Sequence, residues 1–201
     1  MRAAVVSEYG RPPRYAEWAE PVARAEHERV VEVLAAGLHP RVRSQAGGSH
    51  YTSTDELPLV PGIDGVGRAT DGSLLYFVLP DVTLGSMAEQ TVVDVRRSIP
   101  LPADTDVARV AAAMNPAMSS WVALTKRVAF EPGQSVLVLG ATGSAGQLAI
   151  QVARHLGAGE VVAAGRGRAR LEALGADRAV DLETGDISVA GNVDVVLDYL
   201  W

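Results

Sequence analysis

The segment Val136-Leu137-Val138-Leu139-Gly140-Ala141-Thr142-Gly143-Ser144-Ala145-Gly146 constrains this chain more than any other. The run Ser135–Leu139 suits a strand buried on both faces, as in a parallel sheet. Small residues and glycines follow at once. Beyond them apolar residues recur at helical spacing, at Leu148, Ile150, Val152, Ala153 and Leu156, with Gly157 as the stop. A helix is thus predicted over Gly146–Leu156. A strand that runs into such a turn leaves backbone N–H groups at the positive end of the helix, with no side chain in the way. That arrangement suits a pyrophosphate. Gly143 permits close approach of the phosphate, and Gly146 lets the helix pack tightly on the strand. The same turn by itself also fits a plain strand-to-helix connection, so its surroundings decide.

Those surroundings alternate as a dinucleotide site requires. A second strand is predicted at Glu160–Ala164, a short helix at Ala169–Leu174 ending at Gly175, and strands at Arg178–Asp181 and Val193–Tyr199. Four strands joined by such crossovers imply a parallel sheet. An acid about 20 residues beyond the glycine motif would hold the ribose 2′-hydroxyl of NAD. This chain instead has Ala164-Gly165-Arg166-Gly167-Arg168 at that place. Gly165 removes repulsion against a 2′-phosphate, and Arg166 and Arg168 supply charge-assisted bonds to it. The alternative is a solvated arginine loop. NADPH is the expected cofactor, held by Ala141, Thr142, Gly143, Ser144, Ala145, Gly146, Gly165, Arg166 and Arg168.

The first part of the chain has a different texture. Short runs rich in Val, Leu and aromatics, at Ala3–Val6, Arg29–Ala35, Val66–Ala69, Leu74–Leu79 and Gln90–Val95, predict strands. Pro12-Pro13, Pro58 and Pro61-Gly62 punctuate the loops between them. Two helices are expected next: Asp104–Met114 with Asp104 as its cap, and Pro116–Val128 with Pro116 in its first turn. Glu131-Pro132-Gly133 then turns the chain into its α/β part.

Composition excludes several functions. The 201 residues carry a net charge of −6, which argues against a broad polyanion-binding surface and hence against nucleic acid as a partner. The absence of cysteine rules out disulfides, thiolate zinc ligands and a cysteine nucleophile. No stretch reaches the roughly 18 apolar residues of a membrane span, and the apolar start Met1–Val6 is too short for a signal peptide. A cytoplasmic protein is expected.

Several further segments match a known family in order and spacing. They are Ala35-Ala36-Gly37-Leu38-His39-Pro40, Pro61-Gly62-Ile63-Asp64-Gly65-Val66-Gly67, Ala88-Glu89, Asn115-Pro116-Ala117-Met118-Ser119-Ser120-Trp121 and Leu174-Gly175-Ala176-Asp177. With the glycine turn, they make nearly the whole chain resemble the zinc-independent quinone oxidoreductase-like branch of the medium-chain dehydrogenase/reductase superfamily. The resemblance implies an α/β protein. A GroES-like β domain (1–118, incomplete) precedes a partial, doubly wound Rossmann domain (119–201, cut after its fourth strand), with the active site in the cleft between them. It also implies reduction of quinones or activated alkenes with hydride from NADPH. Relatives pair through Rossmann edge strands that lie beyond this sequence, which leaves a homodimer open here.

For hydride delivery to an enone, the protein must hold the nicotinamide near the acceptor carbon and polarise the carbonyl oxygen. The candidate donors are His39, His50 and Tyr51, in or after the loop that matches the family's substrate cleft; each also fits an ordinary loop or helix-start role. His39 stands where zinc-dependent relatives place a cysteine ligand. No metal is expected, because His39 and Asp64 fall short of the usual three ligands. Asn115 and Ser119 match the stretch near the nicotinamide, with helix capping and a helix-interior hydroxyl as the alternative. Asp64 is expected to organise the cleft loop, and Trp121 to pack rather than stack on substrate. Two other functions stay open: a catalytically silent NADP-binding protein, and an enoyl-reductase module of a larger synthase.

Overall fold

Short runs rich in Val, Leu and aromatics build the first part of the chain into two antiparallel sheets, with clear alternation of buried residues in its first and sixth strands. The computed structural model describes residues 1–50, 53, 56–79, 83–183 and 185–200. It divides into two units, Met1–Ala112 and Ala113–Trp201. In the first unit, β1 (Arg2–Val5) pairs with β2 (Arg14–Glu17). A five-stranded antiparallel sheet takes the order β6-β3-β4-β5-β7. Its strands are β3 (Glu28–Ala36), β4 (Asp64–Ala69), β5 (Leu74–Val78), β6 (Gln90–Asp94) and β7 (Ser98–Leu101). Val31, Phe77, Leu79 and Val93 form one buried cluster on this sheet. Ala3, Val5 and Val60 form another, with Trp18 and Met87 packed against it.

Three elements of this unit carry no clear pattern. Strand β2 is exposed along most of its length and has no apolar alternation. Helix α1 (Pro40–Ala46) is short and largely polar, its start set by Pro40 in the first turn. Strand β7 contains Pro100, which a sheet accepts only where no ladder donor is needed, and β7 is an edge.

The expectation of two helices around Pro116 is corrected. Helix α2 runs unbroken over Val107–Val122 with Pro116 inside it, then widens into a π-type turn over Ala123–Arg127. A proline inside a helix costs about 3 kcal/mol by losing one N–H bond and crowding the preceding turn. Ala111 before it and Ser120 and Leu124 after it are all buried, and that packing outweighs the local cost. The cap is also shifted. Asp106, not Asp104, accepts the Arg109 N–H at 3.0 Å.

In the second unit, β8 (Ser135–Leu139), β9 (Glu160–Gly165), β10 (Arg178–Asp181) and β11 (Val195–Asp198) form a wholly parallel sheet. Its order is β10-β9-β8-β11, which is 3-2-1-4 in the unit's own count. Val136, Val138, Val161 and Ala163 face Ala149, Ile150 and Ala153 of α3 (Ser144–His155) and Leu171 of α4 (Arg168–Glu172). Leu137, Val162, Ala164 and Val180 cluster separately with Ala190. The continuous apolar runs thus fill two faces at once.

Asp177 fastens this layer. Its carboxylate accepts the Val161 N–H at 2.7 Å and lies 3.0 Å from the Arg154 guanidinium, which also donates to the Gly175 carbonyl. These contacts, the Val161 N–H first and then Arg154, hold the Asp177 carboxyl below its usual range. Asp177→Ala should cost about 1–3 kcal/mol in denaturant unfolding at neutral pH, because it leaves the buried Val161 N–H unpaired. A depressed carboxyl stabilises above its unfolded-state pKa of about 3.9, and that contribution is lost as pH falls through the lower folded value. The gap between parent and variant should therefore narrow in strong acid.

Candidate functional site

The turn after β8 is shaped by contacts no side chain can replace. Gly140 has φ +77°, and a Cβ on Gly146 would run into the Gly140 carbonyl and lie 2.7 Å from Ala141 Cα. The Ala141 N–H donates to the Ala164 carbonyl at 3.0 Å, which ties the turn to the end of β9. The Gly143 N–H closes the turn on Gly140 O, also at 3.0 Å. Gly143 is the N-cap residue of α3 with no side-chain cap, and the first helical bond runs from Gln147 N–H to Gly143 O. The amides of Ser144, Ala145 and Gly146 therefore have no partner within the helix, and its first turn holds no acid. Gly143 and Ser144 are exposed, and a Cβ on Gly143 would meet nothing closer than 3.4 Å. Its role is openness, not fit. Free amides over an open bend of small residues suit a diphosphate.

At the end of β9, Gly165 is buried against Thr142 and Leu171. Arg166 is exposed and makes no hydrogen bond or ion pair among the described residues. Arg168, by contrast, donates to Glu172 at 2.8 Å one helical turn on. Arg170 reaches the glycine turn itself, its Nη2 donating to Thr142 O at 3.2 Å. Arg170 went unrecognised in the sequence, although alternate arginines at 166, 168 and 170 were its signal.

Strand β11 lies beside β8, at the point where the strand order reverses and Rossmann sheets take their ligands. Directly after it, the Tyr199 N–H donates to Leu139 O at 3.1 Å, and its phenol stands 3.2 Å from Ser119 Oγ. Ser119 also donates to Pro116 O. Asn115 is half-buried inside α2, four residues before Ser119 on the same helix face, so it caps nothing. Tyr199 is the other residue the sequence reading passed over.

The first unit holds the remaining candidates. His39 precedes α1 in extended conformation, and its Nε2 lies 3.1 Å from Asp64 Oδ1. The Tyr76 hydroxyl donates to Asp64 Oδ2 at 2.9 Å, and Asp64 is fully buried. Burial, and then the Asp64 charge, push the Tyr76 phenol far above its ordinary value. No group of three or more metal-ligating side chains occurs among the described residues. His50 is half-buried in the loop after α1 and is not brought to His39 by any bond described. Tyr51 lies outside the described residues.

The parallel 3-2-1-4 sheet with its glycine turn defines a Rossmann-type nucleotide-binding unit, preceded in the chain by a GroES-like β unit. No family model matches the chain. A probable NADPH-dependent quinone reductase of Emericella nidulans is 34% identical over 242 residues, covering 100% of this chain and 68% of the relative. An NADPH-dependent alkenal/one oxidoreductase of Arabidopsis thaliana is 32% identical over 86% of the chain and 50% of its own length. The quinone oxidoreductase of Thermus thermophilus, solved alone and with NADPH, superposes with a TM-score of 0.87 and 32% identity over 98% of this chain and 66% of that one. The chain spans half to about two thirds of these relatives. It belongs to the zinc-independent quinone oxidoreductase-like branch of the medium-chain dehydrogenase/reductase superfamily.

The two turn glycines should differ under substitution. Gly146→Ala should lower stability by about 1–3 kcal/mol, as overpacking does. Gly143→Ala should stay within about 0.5 kcal/mol. Denaturant midpoints measure both.

Proposed function

We propose that the protein is an NADPH-dependent oxidoreductase that reduces quinones or α,β-unsaturated carbonyl compounds without zinc. One observation carries this reading: unpaired amides line the start of α3, and the neighbouring strand end offers arginine instead of a carboxylate. The names of its relatives support the same chemistry. Bound NADPH supplies the hydride. The backbone of Ala141–Gly146 holds the diphosphate, and Gly165 leaves room for the 2′-phosphate. Arg166, which has no competing partner among the described residues, pairs with that phosphate, and Arg168 joins once it releases Glu172. Asn115 and Ser119 serve the nicotinamide end, with Tyr199 fixing the Ser119 hydroxyl. His39, His50 and Tyr51 are the candidates that polarise the acceptor's carbonyl.

Small molecules, not nucleic acid, are the proposed partners of this acidic chain, and pairing of two copies is its proposed assembly. The proposed location is the cytoplasm. Among the described residues, no helix is long and apolar enough to cross a membrane.

The test is oxidation of NADPH by the intact protein with a panel of quinones and enones, followed at the nicotinamide absorbance band. Turnover with at least one of them is expected. Nucleotide binding with no turnover would select the silent alternative, and no binding would sink the reading. Arg166→Ala should weaken NADPH by about 1.5–3 kcal/mol, the worth of a charge-assisted bond, and leave NADH nearly unchanged. Equal weakening of both would remove Arg166 from the 2′-phosphate site.

A further inference from the structure

We infer that His39, Asp64 and Tyr76 form a proton-delivery relay, in which His39 gives its Nδ1 proton to the oxygen of the reduced acceptor while Asp64, held by Tyr76, fixes the ring and balances its charge. The relay rests on the reductase reading above. It assigns Asp64 and Tyr76 as positioning residues.

The geometry begins with a fully buried carboxylate, which is tolerated only when partnered. Asp64 Oδ2 takes the Tyr76 hydroxyl, and Oδ1 takes His39 Nε2. The phenol stays protonated, since its ionisation is strongly opposed, and it donates that proton's bond to Asp64 Oδ2. An ionised Asp64 therefore requires a hydrogen on Nε2 in either charge state of the ring. Only Nδ1 is left to change its proton. Nδ1 makes no hydrogen bond among the described residues, and the His39 side chain keeps 9% of its surface exposed.

The ring is not spent on helix capping. His39 starts α1 without a side-chain cap bond, although its carbonyl accepts the Val42 and Arg43 amides. Space around the carboxylate is also reserved, because a Cβ on Gly37 would run into Asp64. Among the described residues, the titratable groups bonded within the cluster are His39, Asp64 on β4 and Tyr76 on β5. Arg41 and Arg43 lie on the ring's own helix, and His50 lies in the loop beyond.

The step balances. Hydride addition to the conjugated acceptor moves an electron pair onto its carbonyl oxygen. That oxygen bonds to the Nδ1 proton of the imidazolium, and the N–H electrons return to the ring. The neutral ring keeps its Nε2–H bond to Asp64, and a proton taken up from bulk solvent restores Nδ1–H, so each turnover consumes one solvent proton.

In the intact protein, His39→Gln should lower kcat by about 10²–10⁴-fold, the usual worth of general acid catalysis, with NADPH affinity unchanged. The protonated ring is the active form, so kcat falls along an alkaline limb. Asp64→Asn removes the balancing charge and should move that limb to lower pH. Tyr76→Phe removes a competing donor, makes the carboxylate the stronger acceptor, and should move it to higher pH. Imidazole titration of His39 by NMR in nucleotide-free protein should shift in the same two directions, which keeps the test sharp even for a slow variant. A merely structural role predicts no opposed shifts. Parent-like kcat in His39→Gln, or Asp64→Asn and Tyr76→Phe midpoints that move together or not at all, would overturn the relay while leaving the reductase intact. A parent protein that oxidises no NADPH would bring down both.

Discussion

The second unit depends on one close approach, that of helix α3 to the strand that feeds it. Gly146 sits so near the Gly140 carbonyl that the helix axis, the bend and the end of β8 are fixed together. The Ala141 bond to Ala164 extends that fixity to β9. Three amides are consequently held in place before any ligand arrives. Loss of this contact would affect packing and the proposed nucleotide site at the same time, because they share the same backbone atoms.

The first unit solves a different problem. A carboxylate with no exposed surface must be neutralised or bonded, and the absence of cysteine at this cluster leaves no zinc-thiolate centre to do so. Histidine and tyrosine do it instead, from elements separated in the chain by loops and turned toward one aspartate. His39 and Asp64 are therefore bonded to one another.

The legibility of these features in the sequence follows their range. The glycine turn, its flanking strand and its helix are contiguous, so residue order alone displays them. The apolar runs of β8 and β9 and the spacing of α3 were equally plain. Elements whose cause lies elsewhere in the chain were not. Strand β2 is placed by its pairing with β1, and α2 passes through Pro116 because buried residues on both sides hold it. The same holds at the site. Tyr76 meets Asp64 across 12 residues, and Tyr199 meets Ser119 across 80. Neither pairing leaves a local pattern. Arg170 differs, since its alternation with Arg166 and Arg168 was present and only its direction toward Thr142 was hidden.

With Arg168 in the proposed 2′-phosphate site, its exposed pair with Glu172 would bear on how nucleotides are told apart. Such a pair is worth only about 0.2–1 kcal/mol. A doubly charged phosphate ester is a stronger attractor for the same guanidinium. Mobile ions weaken both attractions, over a screening distance of about 8 Å in physiological electrolyte. Preference between phosphorylated and unphosphorylated dinucleotides would then be a property of the surrounding solution as well as of the fold, greatest in dilute buffer and fading as the medium becomes more concentrated.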